Sequence, residues 1–147
     1  MKTNLYKAFI NSVWLILLSS CMTFNQKVDL SKIEDLEDFS SSVLELLSDE
    51  NYLRAEVQQI NASQPSIQRI IYEADLFWNE SKVSNAVFTL ERALRINKNE
   101  PSVYLRLAHI KMEEGYIMEA KSFASRGLMI EDISSWERVL LGVYLNL

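Results

Sequence analysis

Small residues recur at a 34-residue interval in the second half of the chain, and this recurrence constrains its fold more than any other feature. Ala74 and Ala108 form one such pair, and Ala86 and Ala120 form another. Apolar residues around each pair keep a helical spacing, which indicates two helices per interval. Two helices joined by a tight turn approach closely only where neither carries a bulky side chain. The interval therefore predicts consecutive helical hairpins with small residues at their crossings.

This pattern resembles the tetratricopeptide repeat. In a first repeat that starts at Ile67, the matching residues are Ala74, Phe77, Ala86, Leu90 and Ala93. In a second repeat that starts at Pro101, they are Tyr104, Leu107, Ala108, Gly115, Ala120, Ala124 and Gly127. The resemblance implies an all-α fold, a short α-solenoid of about two repeats (residues 65–134) with a C-terminal capping helix (residues 135–147). Ile70, Glu73 and Lys111 depart from the pattern, and an unrelated bundle of helical hairpins is the alternative.

The N-terminus has the features of an export signal. Two lysines precede an apolar stretch, residues 8–18, which is short for a membrane span. The sequence LSSC that follows resembles the lipobox of bacterial lipoproteins. This resemblance implies that residues 1–20 are a cleaved signal peptide and that Cys21 is lipidated, by palmitate among other acyl chains. A plain secretory signal and an uncleaved anchor helix are the alternatives.

The residues around the cleavage site also predict a location and a charge. Met22 stands where an Asp would retain a lipoprotein at the inner membrane of a diderm bacterium, so we expect the periplasmic face of the outer membrane. Loss of residues 1–20 would leave 13 basic and 20 acidic residues, a net charge of −7. That charge disfavours nucleic acid and anionic lipid surfaces as partners.

The segment between the anchor and the repeats is predicted in two parts. Residues 21–30 would form the lipidated Cys and a short polar tether. Residues 31–64 would be a helical segment, because a capping-box pattern at 31–34 precedes apolar residues at helical spacing. Since a repeat cannot bury its apolar face alone, we expect residues 31–60 of this segment, or a partner protein, to cover the first repeat.

No catalytic arrangement is predicted, and neither is a cofactor, a metal site or a small-molecule substrate. The chain has one His and one Cys, and it lacks a Gly-rich phosphate loop. His109 and Met112 lie one helical turn apart, but no further soft ligands lie near them in the sequence. The chain is therefore predicted not to be an enzyme.

The resemblance to tetratricopeptide proteins implies instead a groove that binds a segment or helix of another periplasmic or membrane protein. The family's groove positions fall on Ile71, Asp75, Trp78, Asn79, Leu105, His109, Met112, Glu113, Trp136 and Val143. Trp78 and Trp136 have the alternative role of core or end-capping residues. A basic clamp for a chain terminus is not predicted, because Arg106 stands alone.

A narrower resemblance rests on residues 89–96 (TLERALRI), residues 104–108, the Gly115-Tyr116 pair and Trp136. These look like short periplasmic tetratricopeptide lipoproteins of gammaproteobacteria, some of which activate a class A penicillin-binding protein. The resemblance implies an adaptor that activates a peptidoglycan synthase. The short tether favours the alternative, an assembly factor or pilotin-like lipoprotein whose partner lies near the same membrane.

Overall fold

The computed structural model describes the backbone of residues 30–147 and the side chains of residues 38–147 other than residue 39. Within that part of the chain the predicted all-α fold is confirmed, and the residues form helices without any strand. The chain divides into two compact units, Met1–Leu36 and Glu37–Leu147, and the second contains all the side chains considered below. The predicted lipidation site, Cys21, lies outside the described residues. The helices are α1 (Leu30–Leu47), α2 (Glu50–Gln59), α3 (Pro65–Asn79), α4 (Val83–Ile96), α5 (Pro101–Glu113), α6 (Ile117–Leu128) and α7 (Ser135–Leu145).

The two N-terminal helices lie where the apolar spacing predicts them. α1 begins one residue before the predicted capping box and ends at Leu47, which is buried. Asp49 interrupts the helix and caps the next one, because its side-chain Oδ1 accepts a hydrogen bond of 2.8 Å from the backbone N–H of Tyr52. The chain thus makes two separate helices from the segment predicted at residues 31–64.

The hairpins α3–α4 and α5–α6 share the same turn. In the first turn the backbone N–H of Lys82 donates to the carbonyl of Phe77 at 2.8 Å, and the bond 34 residues further on is also 2.8 Å long. Each turn contains one residue with left-handed backbone, Ser81 with φ 59° and Gly115 with φ 80°. This 6→1 hydrogen bond around a left-handed residue terminates a helix and satisfies its last carbonyl groups. The 34-residue interval is therefore a repeat of backbone geometry as well as of residue type.

Helix α5 lies at the centre of the second unit. All of its residues from Pro101 to Ile110 are buried, and α2, α4, α6 and α7 each pack against it. Proline begins both α5 and α3, where its missing N–H leaves no helical hydrogen bond unmade. The four alanines of the 34-residue interval are likewise buried, at most 1% exposed, as expected for helices that cross closely.

The last helix, α7, closes the unit on α5 and α6. A capping box formed by Ser134 and Glu137 begins this helix. Its residues Leu140, Leu141 and Tyr144 are buried. A Cβ placed on Gly127 of α6 would lie 2.9 Å from Cδ1 of Leu141, so the glycine permits the close approach of α6 and α7.

Candidate functional site

The predicted groove residues of α3 and α5 lie on one face, which we name the groove face, but they are not free to meet a partner. Helix α2 packs over this face. Ile71, Trp78, Leu105 and His109 are at most 2% exposed, so the expectation that they line an open groove is corrected by the structure. The other six predicted residues keep some exposure: Asp75, Met112, Glu113 and Val143 are half-buried, and Asn79 and Trp136 are exposed.

Helix α2 contributes two apolar side chains to this interface. Leu53 and Val57, one helical turn apart, are at most 2% exposed and belong to the core. Within the chain, α2 therefore covers part of the groove face. Residues 31–60, or a partner protein, were expected to cover the first repeat. The structure corrects this expectation, because α2 packs mainly on α5, the first helix of the second repeat, and reaches the first repeat through Trp78 and Asn79.

Polar contacts hold the middle of α2. The guanidinium of Arg54 donates to Glu113 and to Asn79, each at 3.2 Å, and lies 4.3 Å from the centre of the Trp78 ring. Gln58 donates a further hydrogen bond to Asn79 at 3.1 Å. The Arg54 side chain is 29% exposed, so its ion pair with Glu113 is partly screened by water.

Arg106 holds the C-terminal end of α2. Its guanidinium is fully buried and forms a two-pronged ion pair with Asp75, with bonds of 2.8 and 3.0 Å. The remaining N–H groups donate to the carbonyls of Gln58 at 3.0 Å, Ile60 at 3.1 Å and Ser102 at 3.1 Å. All five donors of the side chain are therefore used. Because the last carbonyls of a helix carry partial negative charge, the cation is well placed at this terminus.

Glu113 is the centre of a second polar cluster. Its carboxylate accepts the indole N–H of Trp78 at 2.7 Å and lies 3.3 Å from Nε2 of His109. The other ring nitrogen of His109, Nδ1, lies 3.0 Å from the hydroxyl of Tyr144, which links the cluster to α7. Among the described residues Nε2 has no partner that meets hydrogen-bond geometry, so its contact with Glu113 is a close approach of nitrogen to oxygen.

The cluster perturbs two pKa values. Burial by itself would raise the pKa of Glu113, but His109, the Trp78 indole and the Arg54 charge outweigh it and hold that pKa below the usual 4.5. Burial, with a smaller contribution from the Glu113 charge, raises the pKa of the Tyr144 hydroxyl well above 10. At neutral pH Glu113 is thus ionised and Tyr144 is neutral. This arrangement joins α2, α3, α5 and α7 by charge and hydrogen bonding.

A different part of the surface stays open and apolar. Trp136, Val139, Val143 and Leu147 follow one another at intervals of three or four residues, so they share one side of α7 and its C-terminal extension. We name this set the α7 stripe. Trp136, Val139 and Leu147 are 36%, 40% and 45% exposed. Beside the stripe lies a cavity of about 480 Å³, whose lining includes Leu44, Leu47, Leu53, Met112, Val143 and Leu147.

A larger cleft, of about 640 Å³, lies where three loops meet and is lined by carboxylates among other polar groups. Its most buried acid, Glu100, accepts hydrogen bonds from the hydroxyls of Ser63 at 2.7 Å and Ser102 at 2.9 Å. Those bonds fasten the loop before α3 to the loop before α5. Within the described part of the chain, no group of three or more His, Cys, Asp or Glu side chains is placed to hold a metal ion.

Two residues that organise the site were not among those predicted from the sequence. They are Arg106, whose isolation in the sequence predicts no clamp, and Arg54. The available signal was Arg106 itself, the one residue of the run 103–110 that always carries a charge, because a buried charge requires a partner.

No helix of residues 30–147 combines the length and the apolar character that a membrane crossing requires. No known protein family, curated protein or solved structure matches the chain.

Proposed function

We propose that this chain is a lipid-anchored adaptor of the tetratricopeptide type, which binds another protein at the periplasmic face of the outer membrane. The observation that carries the proposal is the α7 stripe together with its cavity. Contiguous apolar surface that stays exposed to water marks interaction sites in folded proteins. A Trp at one end and aliphatic side chains along the rest are the residue types that anchor protein interfaces.

Assignment to the tetratricopeptide type is supported by the two hairpins. Their turns repeat at the 34-residue interval, and small residues occupy the crossings in both. Gly142 falls 34 residues after Ala108, so α7 continues the interval as the first helix of a further unit. In this arrangement the α7 stripe extends the groove face beyond the part that α2 covers.

The lipid anchor is proposed from the sequence around Cys21. Several acyl chains hold a protein on a membrane far more firmly than one, since each buried methylene contributes about 0.8 kcal/mol. Replacing Cys21→Ser tests this part of the proposal. We expect the variant to lose metabolic labelling with palmitate, whereas a variant that is labelled as strongly as the native chain contradicts lipidation of Cys21.

Two classes of partner suit such an adaptor. One is a class A penicillin-binding protein, whose polymerising activity would rise if the adaptor bound its active conformation more tightly than its inactive one. The other is a component of an outer-membrane assembly or secretion machine, which a short tether reaches more easily. Neither role requires a catalytic residue in this chain.

Site-directed crosslinking tests the proposal and separates the two classes. A photoreactive amino acid at Val139 or Trp136 lies on the α7 stripe, and one at Glu91, exposed on α4, is the matched control. We expect a specific crosslinked protein from the stripe positions and none from Glu91. A synthase among the products supports activation, and an assembly component supports the alternative. Equal products from all three positions would contradict a role for the stripe.

A further inference from the structure

We propose that the groove face is itself a helix-binding site, which α2 occupies within the chain and which an amphipathic helix of the partner protein takes over. The inference rests on the proposed adaptor function and names the chemistry of the partner. Its starting point is that α2 lies on the groove face as a ligand helix would, through one apolar side and a few polar contacts.

The hold of α2 on the groove face is small. Of its ten residues, Leu53 and Val57 alone are buried. Its polar anchor Arg54 is 29% exposed, and its partner Asn79 is exposed. Apart from the two backbone carbonyls that Arg106 binds, α2 is held by two aliphatic residues and partly hydrated polar contacts. A helix with so few buried side chains belongs to the less stable part of a fold, the part that opens locally.

The groove face retains its own polar partners when α2 leaves. Arg106 keeps both bonds to Asp75 and the bond to the Ser102 carbonyl, so it loses two of its five hydrogen bonds. Glu113 keeps the indole N–H of Trp78 at 2.7 Å. No charge is therefore left buried without a partner. A buried unpaired charge would make the open groove too costly in free energy.

The contacts of α2 define what the groove face selects. They require two aliphatic residues one turn apart, as Leu53 and Val57 are, and an Arg directly after the first of them, as Arg54 is. They also require a helix whose C-terminus lies against Arg106, because the Arg106 guanidinium binds the carbonyls at the end of the helix. A partner helix with this pattern reproduces these contacts.

The groove face is continuous with the α7 stripe. Leu53 of α2 and Met112 of α5 line the same cavity as Val143 and Leu147. A partner bound to the stripe would therefore lie beside α2, and the neighbouring segment of the partner chain could reach the groove face.

Binding of the α2 sequence supplied as a separate peptide tests the inference. The probe is a fluorescein-labelled peptide of residues 49–60, DENYLRAEVQQI, added to the full chain carrying Cys21→Ser. Leu53→Ala with Val57→Ala weakens the attached helix. Leu76→Ala with Phe88→Ala, at residues that are 64% and 63% exposed, is the matched control. We expect the variant with Leu53→Ala and Val57→Ala to bind the peptide at least tenfold more tightly than the control variant does. We expect a peptide that carries Arg54→Glu to bind neither variant.

Hydrogen exchange on the chain with native α2 gives a second measurement that requires no folded core variant. We expect amides of α2 to exchange at least tenfold faster than those of α3 and α5. Peptide that fails to bind the folded double variant, or α2 amides that exchange only with the rest of the unit, would overturn the inference. Dimers that exchange α2 between copies, detected by light scattering, would assign the site to a second copy of this chain and would also overturn it.

The two proposals fail separately. If Val139 crosslinks a protein but the peptide does not bind, the adaptor function is supported and the replacement of α2 by a partner helix is refuted. If the peptide binds but no protein is crosslinked, the helix-binding site is supported and the proposed role of the α7 stripe is refuted.

Discussion

Replacement of Arg106 by Leu has the largest predicted effect on stability. The guanidinium is fully buried, and Asp75 opposite it has a side chain that is 14% exposed. Removing one member of a buried ion pair costs about 3 to 5 kcal/mol, because the other charge is left without compensation. Since Asp75 keeps some contact with water, we expect the lower end, about 3 kcal/mol.

That loss is a large part of the total for a unit of this size, which has a free energy of unfolding on the order of 5 to 15 kcal/mol. It corresponds to a decrease in Tm of roughly 10 °C. Urea unfolding followed by circular dichroism measures the difference, with the slope of the transition showing whether unfolding stays two-state.

The matched control is Arg92→Leu. Arg92 pairs with Glu73 on the surface, where their side chains are 41% and 48% exposed. Such a pair contributes at most about 1 kcal/mol, so the control should unfold nearly as the native chain does. Combining Asp75→Leu with Arg106→Leu should restore part of the lost stability, because no unpaired charge remains. If Arg106→Leu is no more costly than Arg92→Leu, the argument from the buried pair is refuted.

Five further substitutions, at the glycines of α6 and α7, at the two turns and at Glu113, have defined outcomes. Gly142→Ala adds a Cβ with no atom within 4 Å and should stabilise the chain by about 1 kcal/mol, whereas Gly127→Ala places its Cβ 2.9 Å from a side chain of α7 and should destabilise it by about 1 to 2 kcal/mol. Thermal unfolding measures both, and a shift of the same sign would contradict the packing described. Ser81→Gly removes a side chain from left-handed backbone and should raise the free energy of unfolding by up to about 1 kcal/mol in urea, with Gly115→Ser lowering it by a similar amount. Because the folded-state pKa of Glu113 is lowered, its contribution is complete above the unfolded-state pKa and is lost as pH falls through the folded-state pKa. Glu113→Gln should therefore flatten the fall in stability as the pH drops below the usual glutamate pKa of 4.5, and an unchanged profile would contradict that role.

The helical hairpins could be predicted from the sequence because their determinants are local. Pro65 and Pro101 begin helices, Gly115 ends one, and small residues mark the crossings. The equivalent of Gly115 in the first turn is Ser81, a residue type that does not by itself predict left-handed backbone. The turn forms there all the same, since the hydrogen bonds on both sides of it fix the backbone.

The position of α2 could not be predicted in the same way. Its apolar spacing indicates a helix but says nothing about which surface it covers. Placement depends on pairs that are far apart in the sequence, such as Arg54 with Glu113 and Arg106 with the carbonyl of Gln58. The groove residues could therefore be placed on α3, α5 and α7 by their repeat positions, while the contacts that α2 makes with them come from a segment outside the repeats.

The loop of residues 60–64, which joins α2 to α3, has a quantitative consequence for any competing helix. A short linker holds a tethered ligand at an effective concentration on the order of millimolar. A partner in free solution at micromolar concentration would therefore displace little of α2, even with equal intrinsic affinity. Two proteins confined to the same membrane surface meet at much higher local concentration. Under the proposed anchoring, the attached helix makes the groove respond to co-localisation of the partner rather than to its abundance in the compartment.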